Sequence, residues 1–465
     1  MASNDVEVKL ISQCFIKPKS RVEESEKPRY LVAGDLRWLA IRYIQTGFVY
    51  KKPITNDFDI NSFVEKLKQS LSHALVYYYP LAGRFTTVTY ADEHACSIHV
   101  DCNKGPGALF IHASCVHASV LDIVGHTSYT HPIIGSFFNL GEAEVIGYDG
   151  HTRALLTLQV TELKDAVFIG FTMNHSIADG TSFMQFVSSL SEIFCSENDG
   201  KMNVSISHLP IFEPFIPEGC NLLQKLPYLE PNKIISRLVD DPRVKDKIFH
   251  FSSSSILNLK KKANLEWSEG LGKISSFQAL VALVWISIIR AQKLPAQAMA
   301  TCVVPVDSRA RFNPPLSPDQ FGNLVVPLFV KSNVSNLVEN GLGRAAMLIH
   351  QGVAGYDHNV AAETMKAMMN NPFVIGGIDK KYMDNDKINM LNFAWASKFD
   401  IYGVDFGLGK PVAVPSGKID KKDGMVVVKA AYDGGGSIDL EVSLCAESMI
   451  ALESDQEFME FASSF

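Results

Sequence analysis

The sequence predicts an α/β protein of two similarly sized domains, each a mixed sheet flanked by helices. Three observations carry that prediction. Strand-like and helix-like periodicities alternate through both halves of the 465 residues. A chain of this length exceeds what a single core usually organises. Between the halves, residues 196–231 lose their periodicity and fill with Asn, Gly, Pro and Glu, as in Ser196-Glu-Asn-Asp-Gly200, Pro210, Pro214 and Pro217. We therefore expect an N-terminal domain over 1–195, a crossover loop over 196–231 and a C-terminal domain over 232–465.

The elements follow in order. Val64, Leu67, Leu71 and Leu75 recur at helical spacing, and Pro80 and Gly83 in Tyr79-Pro80-Leu81-Ala82-Gly83-Arg84 stop that helix. Arg84 opens a strand through Phe85, Val88 and Tyr90. Ala154 to Leu163 alternates as a strand, and Val167 to Met173 is apolar enough to be buried on both faces. Ser182-Phe-Met-Gln185 reads as a capping box opening a helix, whose apolar stripe is Phe183, Phe186, Val187, Leu190 and Phe194. In the second half, Ile248 to Phe251 reads as a strand and Leu257 to Lys262 as a Lys-rich helix. Ser275-Ser276 caps a long apolar helix over Phe277 to Ala291. Thr301 to Val306 and Leu324 to Val330 read as strands. Met425 to Tyr432 and Ser437 to Leu444 form a hairpin around Asp433-Gly-Gly-Gly436.

Composition narrows the function classes. Lys and Arg number 43 against 50 Asp and Glu, a net charge of −7, which disfavours general nucleic-acid binding. No apolar run is long enough for a membrane span, and residues 1–10 lack a signal-peptide layout. The eight Cys include no C-x-x-C pair and read as reduced thiols. A cytoplasmic protein, with no membrane or nucleic-acid partner, is the expectation. Gly341-Leu-Gly343-Arg-Ala-Ala346 follows no strand, so it is not read as a dinucleotide loop. There is no Gly-x-Ser-x-Gly elbow. His112, Cys115 and His117 match no common zinc spacing. We expect no metal and no bound cofactor.

The chemistry concentrates at Asn174-His175-Ser176-Ile177-Ala178-Asp179-Gly180. His175 sits in a loop after a buried strand and before a helix, a place where a histidine can turn one ring nitrogen to a cleft while the backbone holds the other. An ordinary pKa of about 6.5 suits proton removal from a hydroxyl or amine near neutral pH. Alone, the spacing His-x-x-x-Asp is a common coincidence, and a satisfied structural histidine is the competing reading. Near the C-terminus lies Tyr402-Gly-Val-Asp405-Phe406-Gly407-Leu408-Gly409-Lys410-Pro411.

Together these two segments resemble the signatures of the plant BAHD acyltransferases, His-x-x-x-Asp-Gly and Asp-Phe-Gly-Trp-Gly. Tyr79-Pro80-Leu81-Ala82-Gly83-Arg84, Val306-Asp307-Ser308-Arg309 and Phe321-Gly322-Asn323 extend the resemblance over nearly the whole chain. It implies chloramphenicol-acetyltransferase-like domains and acyl transfer from acyl-CoA, as co-substrate, to the hydroxyl or amine of a small metabolite. The two substrates would meet in a channel between the domains of a monomer, with His175 as general base and no acyl-enzyme. It also implies that Asp179 is structural and pairs with an Arg, for which Arg309 is the candidate, with Gly180 completing that loop. Asp405, Phe406, Gly407, Leu408 and Gly409 would brace the domain junction, and Asp405 is counted with the active site. Ser275 and Ser276, with one of Lys260, Lys261 and Lys262, are candidates for the CoA phosphates, since a helix N-terminus and cations suit anions. An ordinary cap and a solvated basic face read equally well.

Two departures from the family pattern stand out. Leu408 replaces the usual Trp, removing an indole N–H, and Met184 stands where an aromatic residue is common. Alternatives on the same fold are a lyase of the salicylate-forming type and a non-catalytic binding protein. The intact His175 favours transfer over both.

Overall fold

A computed structural model of the chain describes all residues except 1–6, 54–57, 125–131, 142–143, 199–205, 234, 238–239, 268–272, 377–388, 396–398, 419–421 and 464–465. The first half runs β1 (Lys9–Ile16), β2 (Arg29–Tyr30), α1 (Ala33–Leu36), β3 (Ile44–Lys51), α2 (Ile60–Tyr77), β4 (Arg84–Tyr90), β5 (Ala95–Asp101) and β6 (Ala108–Cys115). It continues through α3 (Val120–Val124), β7 (Leu156–Leu163), β8 (Ala166–Met173) and α4 (Gly180–Asn198). The second half holds β9 (Val244–Phe251), α5 (Ser253–Glu266), α6 (Ser276–Ala291), β10 (Met299–Asp307), β11 (Val325–Asn333), α7 (Val334–Gly355) and α8 (His358–Asn370). It closes with β12 (Met390–Trp395), β13 (Met425–Ala430), β14 (Ile438–Cys445), α9 (Ala446–Glu453) and α10 (Gln456–Phe461).

These strands form two principal sheets, ordered β1-β6-β7-β8-β3 and β11-β10-β12-β13-β14-β9, and a small sheet β2-β5-β4. Both principal sheets are mixed. β6 and β7 run parallel, as do β10–β12 and β12–β13, while the remaining pairs are antiparallel. The fold is thus the α/β arrangement of mixed sheets flanked by helices that the sequence predicts.

Each half has its own core. β8 is buried at all eight positions, as its apolar run requires, and it lies between β7 and β3. In the second half α6 is apolar all round, and Trp285 at its centre is 1% exposed. Ser275 caps α6: its hydroxyl accepts from the Gln278 amide at 3.2 Å, and the Gln278 side chain accepts from the Ser275 amide at 2.9 Å. The hairpin β13–β14 turns through Gly434, Gly435 and Gly436, all at positive φ.

One element differs from its prediction. α4 begins at Gly180 rather than behind a Ser182 cap, and Asp179 performs the capping: its Oδ1 accepts from the Ser182 amide at 2.9 Å. The Ser182 hydroxyl is engaged elsewhere, accepting from the Gly322 amide at 3.0 Å. Gly341-x-Gly343 lies inside α7, where Gly341 has φ 68° and a Cβ at Gly343 would sit 2.7 Å from the Cβ of Glu266. Those glycines serve a kink and a close helix contact.

Segment 399–417 crosses back to the first half. The Gly47 amide donates to the Pro415 carbonyl at 2.9 Å and the Val49 amide to the Ala413 carbonyl at 3.0 Å. Val404, Phe406 and Val414 are buried in the first half's core.

Candidate functional site

A cavity of about 2530 Å³ lies between the halves. Its wall draws on Arg37, Trp38, the start of β3, His175 and Phe183 from one side, and on β10, β11 and Asn392 from the other. That volume exceeds the roughly 300–1,000 Å³ of a pocket for one small ligand, so it has room for two substrates at once.

β8 delivers His175 to this wall. Asn174 ends the strand, buried, and its side chain holds the turn: Oδ1 accepts from the Ser176 amide at 2.8 Å and Nδ2 donates to the Gly147 carbonyl at 2.8 Å. The His175 carbonyl accepts from Asn323 Nδ2 at 2.9 Å, and the same amide group donates to Asp35 at 2.9 Å. Trp38 stacks on the imidazole with ring centroids 4.0 Å apart and planes within 9°. Nδ1 is enclosed and makes no hydrogen bond of ordinary geometry among the described residues, so the accessible edge of the ring is the Nε2 side. Burial pushes the imidazole down to about pKa 4, and the Arg37 charge adds to the effect. The ring is therefore neutral at pH 7, and its Nδ1-protonated tautomer presents the Nε2 lone pair on the accessible edge.

Asp179 points away from that ring. Its carboxylate receives Arg309 in fork geometry, Nη1 to Oδ2 at 2.9 Å and Nη2 to Oδ1 at 3.2 Å, and Oδ2 also accepts from the Leu324 amide at 3.0 Å. Asp179 and Arg309 are 3% and 2% exposed. Arg309 spends its other donors on the Gln320 carbonyl at 2.9 Å and Asp307 at 3.1 Å. Gly180 lines the cavity, and a Cβ there would rest 3.6 Å from Phe399, an ordinary contact, so no steric demand fixes glycine.

The second motif stands apart from the cavity wall. Asp405 Oδ1 accepts from the amides of Leu408 and Gly409 at 3.0 and 2.9 Å, closing its own loop, and the Asp405 carbonyl accepts from Ser191 Oγ at 2.6 Å. Phe406 is fully buried against Tyr50, Phe171 and Phe194. Gly407 and Gly409 have φ of 73° and 79°, and Leu408 packs half-buried on the first half's core.

Of the residues considered for CoA, Ser275 lines the cavity; Ser276, Lys260, Lys261 and Lys262 do not. Lys262 instead pairs with Glu457 at 2.9 Å, where α5 packs against α10. Met184 does line the cavity. Sequence reasoning missed Arg37, Trp38 and Asn323 as companions of His175. Arg37-Trp38 carries no periodic or motif signal, and Asn323 is distinguished only by the Phe-Gly-Asn triplet.

The profile of the Transferase family matches residues 6–459. An uncharacterized acetyltransferase of Arabidopsis thaliana is 32% identical over 98% of this chain and 99% of its own length. The Arabidopsis BAHD acyltransferase DCR is 28% identical over 98% of this chain and 93% of its own. Among solved structures, vinorine synthase superposes with a TM-score of 0.70 at 21% identity, covering 98% of this chain and 99% of that one. F. sporotrichioides TRI101, solved with coenzyme A and T-2, gives 0.72 at 17% identity, covering 94% of this chain and 99% of that one. These two likenesses speak to the fold. Matched along nearly its whole length by the profile and by a relative above 30% identity, the chain belongs to the Transferase family, the acyl-CoA-dependent BAHD acyltransferases.

Proposed function

We propose that the cavity between the halves is the active-site channel, and that His175 is the general base for acyl transfer from acyl-CoA to the hydroxyl or amine of a small specialised metabolite. One observation carries this reading: among the described residues lining the cavity, His175 is the sole histidine, and none is a cysteine. A direct transfer then needs no thiol nucleophile. The Nε2 lone pair takes the acceptor's proton as its oxygen or nitrogen bonds to the thioester carbonyl carbon. The tetrahedral adduct collapses, the carbon–sulfur bond breaks, and the imidazolium returns the proton to the departing thiolate. Neutral imidazole is restored.

The roles around it follow from the contacts. Asp179 and Arg309 hold the loop, and Asn323 holds the His175 backbone. Trp38 fixes the ring plane. Asp405 is a brace of its own loop and acts on the site through packing. Ser275 is the CoA contact we retain. The division of the chain at 1–195, 196–231 and 232–465 accords with the two sheets. A monomer suffices for a channel built from one chain. A cytoplasmic location is supported by eight free cysteines, the state favoured by a reducing compartment.

His175→Ala should lower turnover by at least about 10²-fold, the usual worth of a positioned general base, while calorimetric CoA binding and thermal stability hold. Near-normal turnover in that variant would end the assignment.

A further inference from the structure

We propose that the cavity takes a substrate carrying a carboxylate, held by Arg37 beside the ring of Trp38. The proposal builds on the reading of His175 as the reacting position.

Arg37 follows α1, is 2% exposed, and borders the cavity. Its Nη2 donates to the Val325 carbonyl, and its Nη1 has only the weak acceptor Sδ of Met368 at 3.7 Å. Nε has no partner among the described residues. No described carboxylate lies within ion-pair distance of the group. The two nearest in effect are committed elsewhere, Asp35 to Asn323 and to the Val32 amide, Asp179 to Arg309. An enclosed guanidinium with no ion-pair partner among the described residues is costly, and its place on the cavity lining sets it where a ligand's negative charge would compensate it. Burial lowers the Arg37 pKa to about 10, which still leaves it cationic at pH 7.

Geometry ties this charge to the reacting position. The Arg37 guanidinium carbon is 4.9 Å from the centroid of the Trp38 ring, whose stacking partner is His175 at 4.0 Å. One small molecule can span the two. The planar fork of arginine fits both oxygens of a carboxylate, which gives orientation as well as affinity. Arg311, from the second half, adds another cation to the cavity lining: it is half-buried, with its side chain's one hydrogen bond at 3.3 Å to the Val353 carbonyl and no ion pair among the described residues. The carboxylate can belong to the acceptor or to a dicarboxylic acyl group, so both sources are tested.

Calorimetric titration of the full chain is the test, using acid and methyl-ester pairs of 4-hydroxybenzoate and 4-hydroxycinnamate, and malonyl-CoA against acetyl-CoA. The expected result is a preference for the carboxylate of about tenfold or more in one arm, which identifies the source. Arg37→Gln should reduce it to less than about twofold, and Arg37→Lys should restore part of it. If neither arm of the unaltered protein prefers the carboxylate, the proposal is overturned, and this comparison needs no variant to fold. Persistence of the preference in Arg37→Gln overturns it as well. Failure of the His175 reading is told apart by turnover: a carboxylate preference in binding that survives while His175→Ala retains full rate removes the base and keeps the anion site.

Discussion

A His-x-x-x-Asp loop offers its aspartate two partners, the imidazole or a distant cation, and here Asp179 takes the cation. Replacing Asp179 with Asn keeps the shape but leaves Arg309 with Asp307 as its remaining carboxylate partner. Denaturant unfolding should then show a loss of about 1.5–3 kcal/mol, the usual worth of a hydrogen bond to a charged group. A loss below about 1 kcal/mol would mean the pair is solvated. The second prediction at this scale concerns pH. Only neutral imidazole accepts a proton, and the His175 pKa is pushed from the ordinary value down to about 4. The competent form therefore persists as pH falls, so kcat/KM should stay flat from pH 7 to about 5 and drop only near 4. An acid limb centred near 6.5 would refute the burial argument. His175, Asp179 and Arg309 were legible because a motif marks each of them. Arg37 and Trp38 were not, because their role comes from a stacking contact with a residue far along the chain.

Among elements, the most informative is the loop Asp405–Gly409, which is closed by a single carboxylate oxygen and two left-handed glycines. A Cβ at Gly409 would meet nothing within 4 Å, so strain at φ 79° is the whole cost of substitution there. Gly409→Ala should lower stability by about 1–2 kcal/mol without creating a clash. A denaturation midpoint equal to that of the unaltered protein would show that the loop relaxes freely. Element reading from sequence worked where periodicity was strong: α6, β8 and the β13–β14 hairpin sit where the apolar pattern and turn residues placed them. It slipped at the start of α4, because a Ser-x-x-Gln pattern cannot reveal that the Ser182 hydroxyl is held by Gly322. It also grouped Lys260 to Lys262 with Ser275 although Lys262 faces Glu457, since sequence proximity does not report which way a helix face turns.

At the scale of the whole molecule, the two halves are joined by much more than the crossover. Asp179 and Arg309 pair across the junction, Asn323 reaches both Asp35 and the His175 carbonyl, and the Tyr50 hydroxyl donates to the Val404 carbonyl at 2.9 Å. Segment 399–417 places Phe406 in the first half's core while its flanking strands β12 and β13 stay in the second sheet. Neither half can then lose its packing without exposing buried groups of the other. Unfolding should accordingly be one cooperative transition despite the two cores. Cys96, Cys102 and Cys115 report on the first half and Cys302 on the second, each 9% exposed or less. Site-resolved thiol labelling of these four cysteines should give coincident denaturant midpoints. Arg309→Ala removes one tie and should shift both midpoints together. Separated midpoints in the unaltered protein would mean that the halves are independent units, with a cavity between them whose walls do not hold each other in place.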